Sequence, residues 1–219
     1  MNTTLQDLRY ALRGLAQKPL FAIIAVLSVA IGVGANASIF SIVNAMLLRA
    51  PAGVGNPARV VEIGRTSQGQ GFDTFSYPEI RAMTSDVKSL DRVAATRNTP
   101  LSFTSGDGSG VRIWALAVGQ PYFEAVGTTP FRGRVFAPEE DATPGRDYVV
   151  VVSHGFWQQR LGGRADVVGS TIELNRRKFT ITGVTQPEFA GHLPLLPADV
   201  YIPMMMFGVA EPGFDSFES

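Results

Sequence analysis

The longest uniform stretch of the chain runs from Pro19 to Leu48, thirty consecutive positions without a Lys, Arg, Asp, Glu or His. A hydrocarbon core of ~30 Å needs about 20 apolar residues in helical form, so this run is long enough to cross one. At ~1.5 Å per residue its full helical length is about 44 Å, and the half beyond Asn36 is expected to rise from the bilayer as a stalk. Ala30, Gly34 and Ser38 recur every fourth position, a spacing that lets another helix approach closely in lipid. Upstream, Leu5, Leu8, Leu12 and Leu15 fall at spacings of three and four, opposite Gln6, Asp7, Arg9, Arg13 and Gln17. Residues 1–18 therefore read as an amphipathic helix. It either lies along the membrane interface, with Arg9, Arg13 and Lys18 among the headgroups, or covers the surface of a soluble fold.

Beyond residue 50 the pattern breaks into short elements. Pro51 to Pro57 reads as a linker, Arg59 to Ile63 as a strand, and Gly64 to Gly71 as a polar loop. Ser76-Tyr77-Pro78-Glu79 is a helix start, with Ser as N-cap, Pro in the first turn and Glu at N3; the helix is expected to reach about Thr84. Arg92–Thr96 and Leu101–Thr104 read as short strands. Val111 to Val118 is a longer one, its Val111, Ile113, Ala115 and Ala117 alternating with Arg112 and Trp114. Pro121–Val126 is a short helix closed by Gly127. Tyr148–Ser153 is apolar on both faces and reads as a central strand, followed by a helix His154–Leu161 that Ser153 caps and Gly162-Gly163 stops. Ser170–Leu174 and Phe179–Val184 flank Asn175-Arg176-Arg177 as a hairpin. Asp199–Ile202 is a last strand before a loose, Phe-containing end. Strands and helices intersperse without strict alternation, which predicts an α+β class: a mixed α+β extracytoplasmic domain over residues 51–219, after a transmembrane helix and stalk over 19–50.

Composition changes this picture little. Nineteen basic and nineteen acidic residues give no net charge, so no pull towards nucleic acid is expected. The absence of cysteine excludes a disulfide framework and thiolate metal sites. A rival reading of the N-terminus is a cleaved secretory signal: Arg9, Arg13 and Lys18 as the basic region, Phe21–Val33 as the apolar region and Ala35-Asn36-Ala37 as the cleavage site. Against it, apolar character resumes at once from Ile39 to Leu48. The basic residues on the two sides of the span nearly balance, so a cytoplasmic N-terminus is favoured mainly because the run is the first hydrophobic segment before a sizeable domain.

Candidate chemistry is sparse. Gly163 to Thr171 has one residue too many between its glycines for a phosphate loop and lacks the lysine. Ser153-His154 invites a nucleophile–base reading, but adjacent residues at a strand-to-helix turn rarely face each other and Ser153 is well used as a cap. His154 and His192 are the only histidines and have no metal-ligand spacing. Glu139-Glu140-Asp141 is expected to begin a solvated loop, Arg132-Gly133-Arg134 to form a basic turn beside it, and Arg176-Arg177-Lys178 to be a solvated hairpin tip. The expectation is no catalytic, cofactor-binding or metal residues, and no enzymatic activity.

Two blocks carry a resemblance. QDLRYALRGLAQKP followed by AVLSVAIGVGANASIFSIVNAMLLR resembles the N-terminus of MacB-type (FtsX-like) ABC transporter permeases, especially their duplicated branch. PYFEAVGTTPFRGRVFAPEE, VVVVSHGFWQQRLGGRADVVGSTIELNRRKFTITGV and ADVYIPM look like that family's periplasmic core domain. The resemblance implies a bacterial inner-membrane permease that transmits motion between a separate cytoplasmic ATPase and the periplasm, for export or efflux. The implied partners are the lipid bilayer, that ATPase, a second permease copy and a periplasmic protein. Family members return to the membrane through three further spans, so the chain looks like a truncated permease. The alternative is a membrane-tethered or secreted periplasmic binding module unconnected with transport.

Overall fold

A computed structural model describes residues 17–44, 51–67, 70–73, 75–106, 108–189, 191–193 and 196–210. The chain falls into two units, Met1–Arg49 and Ala50–Ser219. In the first, helix α1 (Pro19–Val43) starts with Pro19 in its opening turn and contains no buried residue. It is the one helix among the described residues long and apolar enough to cross a membrane. With no face turned to a protein core, its side chains can be satisfied by lipid tails. The expected amphipathic helix falls almost wholly on residues 1–16, and the C-terminal part of the expected stalk on 45–50; both lie outside the described residues.

The second unit is built on a mixed seven-stranded sheet. Its strands are β3 (Thr96–Thr104), β4 (Gly110–Val118), β5 (Pro130–Gly133), β6 (Val149–Val152), β7 (Thr171–Leu174), β8 (Arg177–Thr185) and β9 (Val200–Pro203). The order is β5-β8-β6-β9-β4-β3-β7, and β7 also pairs with β8, so six strands form a closed ring with β5 attached outside it. β8 makes this possible by using its two halves differently. Arg177–Thr180 pairs with β7, while Thr180–Val184 lies parallel to β6. Asn175 and Arg176, at φ 47° and 62°, form the tight turn between β7 and β8.

Alternation along the strands sorts the core into two faces. Ile113, Ala115, Ala117, Val150, Val152, Val200 and Ile202 join Leu101, Phe103, Ile172, Leu174 and Ile181 inside the ring. Leu116, Val118, Val151 and Tyr201 point the other way, into a second cluster with Tyr122, Phe123, Phe136 and Phe189. Strands β6 and β9 are thus buried on both faces, which is why YVVVVS and VYI carry no polar alternation. Helix α3 (Tyr122–Ala125) supplies two of those aromatic rings, and α4 (His154–Arg160) packs Phe156 and Trp157 on the inner cluster.

Several expectations need correction. Pro51–Pro57 is no free linker: the Gly55 N–H donates to the Val126 carbonyl at 2.9 Å and Val54 is buried. Arg59–Ile63 is not a paired strand; a 3-10 turn occupies Pro57–Arg59. The pairing begins later, in a small separate hairpin of β1 (Arg65–Ser67) and β2 (Gln70–Asp73), where a polar loop was expected. The strands expected at 92–96 and 101–104 are one strand starting at Thr96. Pro100 is tolerated inside it because β7 reaches β3 only at Phe103. The Arg132-Gly133 part of the basic turn belongs to edge strand β5. The first part of the expected loose end is instead a 3-10 turn Met204–Met206 and helix α5 (Phe207–Ala210), with Met206 and Phe207 fully buried; the rest of it lies outside the described residues.

Candidate functional site: a cleft beside the barrel

The chemical candidates raised by the sequence are occupied with structural tasks. Ser153 Oγ accepts the Phe156 N–H at 3.1 Å as the cap of α4, and the His154 ring lies edge-on to Phe131 and Trp157 rather than towards that hydroxyl. The Gly163–Thr171 loop closes on itself: Arg164 forks onto Asp166, the Trp157 indole donates to the Arg164 carbonyl, and Ser170 bonds the Val167 carbonyl. Arg177 donates to the Tyr148 hydroxyl at 2.9 Å. His154 and His192 lie on separate elements, and no three His, Asp or Glu side chains converge as metal ligands among the described residues.

The acidic stretch departs from its expectation. Arg134 grips Glu140 with two bonds of 2.6 and 2.7 Å, holding that carboxyl below the usual glutamate range. Asp141 is buried, and its carboxylate accepts the N–H groups of Gln120 at 2.9 Å and Met205 at 3.0 Å. It therefore ties the loop entering α3 to the segment after β9. Burial pushes its carboxyl above the aspartate range, against the pull of those two bonds. No spacing rule would have picked Asp141 from the three acids, because its partners are backbone groups 21 and 64 residues away.

A cleft of about 710 Å³ lies between the 51–63 segment, helix α2 (Tyr77–Asp86), the 89–97 segment and the barrel wall. Helix α2 starts where the sequence says. The Glu79 carboxylate accepts both the backbone N–H and the hydroxyl of Ser76, at 2.7 and 2.9 Å. That start turns Ile80 and Met83 to the cleft, opposite Val60, with Phe207 in its wall. The Arg97 guanidinium stands 4.7 Å from the Phe207 ring centre. On the rim, Arg92 bridges Asp91 and Glu124, at 2.7 and 3.4 Å. His192 bonds the Tyr122 hydroxyl through Nδ1 at 3.1 Å; burial holds its imidazole below the usual histidine range, with Glu62 opposing. A cleft that combines an apolar patch of Val60, Ile80, Met83 and Phe207 with charged and polar lining can bind and shield another surface. It places no activated nucleophile beside a base. Sequence reading missed this site because its walls come from positions up to about 150 residues apart.

A family profile described as the MacB-like periplasmic core domain matches residues 22–217. Among solved structures, the chain is similar to the periplasmic region of MacB from Actinobacillus actinomycetemcomitans, at 14% identity and a TM-score of 0.52. That match covers 65% of this chain and 61% of that one. It is also similar to the extracellular domain of the noncanonic ABC-type transporter YknZ from Gram-positive bacteria, at 15% identity and a TM-score of 0.50, covering 62% of this chain and 66% of that one. The chain thus spans less than two thirds of each of these domains, and the likeness is one of fold. No curated protein matches the sequence.

Proposed function

The chain belongs to the MacB-like periplasmic core domain family, and from that premise we propose that it is a non-catalytic part of a MacB-like ABC transporter permease, transmitting conformational change between a cytoplasmic ATPase and the periplasm for export or efflux. Residues 1–18 lie on the inner face of the bacterial inner membrane, 19–50 cross it and rise as a stalk, and 51–219 form a periplasmic domain. The partners are the bilayer, a separate ATPase subunit, a second permease copy and a periplasmic protein. The observation that carries this reading is the pairing of a 25-residue apolar helix that has no buried residue with a domain of this family in one chain. The cleft serves protein contact, in keeping with its mixed apolar and polar lining and the ion-paired Arg92 on its rim.

The test is carbonate extraction with protease access to intact spheroplasts, following tags at both ends. The expected result is a membrane-retained chain whose C-terminal tag is digested from outside while the N-terminal tag survives. A soluble chain shortened by about 37 residues, as signal cleavage after an A-x-A site would leave it, overturns the anchor. Hydrolysis of ATP by the purified chain overturns the non-catalytic role.

A further inference from the structure

The join between β3 and β7 is the thinnest in the ring. Phe103 with Leu174 is the one pair laddered across it among the described residues, whereas β3 pairs with β4 along its whole length and β7 with β8 along all of Thr171–Leu174. Side chains fasten the rest. Asn175 Oδ1 accepts the Ser102 N–H, and the Thr104 hydroxyl donates to Glu173 Oε1, both at 2.8 Å. Ser102 is exposed and Thr104, Glu173 and Asn175 are half-buried, so water reaches these groups and replaces each bond as the strands part. The same asparagine reaches a third element. Its Nδ2 donates to the Ala210 carbonyl at the end of α5, and Phe207 of that helix packs into the inner cluster that Phe103 and Leu174 also join.

We propose that the β3–β7 seam and the Met204–Ala210 segment open together as one local unit, with the Asn175 side chain as the fastener they share. For its role this rests on the reading of the domain as a transmitter of conformational change, and it names the part that moves. Drawing α5 away removes the acceptor of Asn175 Nδ2 and frees the amide to turn. Oδ1 then leaves the Ser102 N–H, and the strands part at Phe103 and Leu174. The coupling is reciprocal, so whatever parts the strands loosens α5 to the same degree. The rest of the ring stays closed, because β4, β6 and β9 are laddered to one another and buried without help from Asn175.

The test is native-state amide hydrogen exchange on the full chain in detergent micelles. It is read at Ser102 and Asn175 in the seam, at Phe207, whose N–H bonds the Met204 carbonyl, and at Ala115 and Ala117 in β4 as the slow reference. The seam amides and Phe207 should exchange at least tenfold faster than the β4 pair, with one common dependence on denaturant. Phe207→Leu should speed exchange at Ser102 and Asn175 at least threefold, because the open form has already released that ring. In an Asn175→Gly background the amide at position 175 should no longer respond to Phe207→Leu. The converse arm is a disulfide between Thr104→Cys and Glu173→Cys, the pair beside Phe103 and Leu174, in a chain with no other cysteine. Closing it should slow exchange at Phe207 at least threefold, and reduction should restore the rate. Seam exchange as slow as in β4, seam exchange unchanged by Phe207→Leu, a response that persists in Asn175→Gly, or Phe207 exchange indifferent to the disulfide overturns the proposal. None of these outcomes bears on the topology or ATP tests above, so failure here and failure of the permease reading are separately visible.

Discussion

Asn175 and Ser102 face each other across the seam of the barrel and exchange two hydrogen bonds. The Asn175 N–H donates to the Ser102 carbonyl, and the Ser102 N–H donates to Asn175 Oδ1, both at 2.8 Å. The Asn175 Nδ2 then donates to the Ala210 carbonyl at 2.9 Å. One side chain in the left-handed region therefore stands in for the missing ladder between β7 and β3 and also fastens α5. Asn175→Gly keeps the backbone conformation and removes both side-chain bonds. It should lower stability by about 1–3 kcal/mol. Asn175→Ala should lose about 1–2 kcal/mol more, because an alanine pays for the left-handed backbone. Guanidinium unfolding of the full chain in micelles measures both, and equal midpoints for the two variants would remove the backbone argument.

Gly183 and Gly133 fix where β5 meets β8. A Cβ on Gly183 would collide with the Arg134 carbonyl oxygen and come within 3.1 Å of that of Arg132. Gly133 sits at φ 67°, and a Cβ there would strike the Thr182 carbonyl oxygen. These are backbone atoms, so rotamer changes give no relief. Gly183→Ala and Gly133→Ala should each destabilise by about 3 kcal/mol or more. The readout is the thermal midpoint, with Gly155→Ala, where a Cβ meets nothing within 4 Å, as the silent control.

These two sites show where sequence reading stops. The β7–β8 hairpin, strands β4 and β6, and the start of α4 were legible because their signals are local: alternation, an apolar run, a serine cap, a turn. Closure of the ring was not. It depends on β8 dividing its length between β7 and β6, and on Asn175 finding a strand 73 residues away. β5 was hidden for a related reason: its Phe131 and Arg132 are exposed, so it lacks the alternation that marks a half-buried strand. Met204–Ala210 looked loose because three methionines and a phenylalanine carry no period, yet they are buried against the barrel. The cleft inherits all these non-local placements.

Glu140 and Asp141 are neighbours with opposite pH dependence. Arg134 holds Glu140 below its ordinary range, so its stabilising contribution is present above the unfolded value of about 4.3 and is lost as pH falls through the depressed folded value. Burial holds Asp141 above its range, so the linked stability is fully present below about 4 and declines as pH rises through the raised folded value. Glu140→Gln should flatten the acid limb, by only about 0.5–1 kcal/mol because Arg134 is half exposed. Asp141→Asn should flatten the decline above pH ~4 and also lower stability throughout, by about 1–3 kcal/mol, because an amide has one acceptor for two N–H donors. Urea midpoints from pH 3 to 8 separate the two. Parallel curves for wild type and Asp141→Asn would show that this carboxyl is not displaced.

Tyr122 and Tyr201 pack as neighbouring rings, 6.2 Å between centres, yet their hydroxyls differ. That of Tyr122 meets His192, whereas that of Tyr201 is buried with no partner among the described residues. Burial raises the ionisation of both hydroxyls well above the usual tyrosine value, so neither is charged near neutral pH. A buried hydroxyl without a bond is a desolvation loss that deletion relieves, whereas deleting a bonded one leaves its partner stranded. Tyr201→Phe should therefore leave stability unchanged or raise it by up to about 1 kcal/mol, and Tyr122→Phe should lower it by about 1 kcal/mol. The ring of Tyr201 is another matter: it stacks on Phe189 at 5.8 Å and meets Phe123 edge-on, so Tyr201→Ala should cost about 3–5 kcal/mol. Thermal midpoints of the three variants give the ordering. A loss in Tyr201→Phe matching that in Tyr122→Phe would assign the Tyr201 hydroxyl a bound partner of its own.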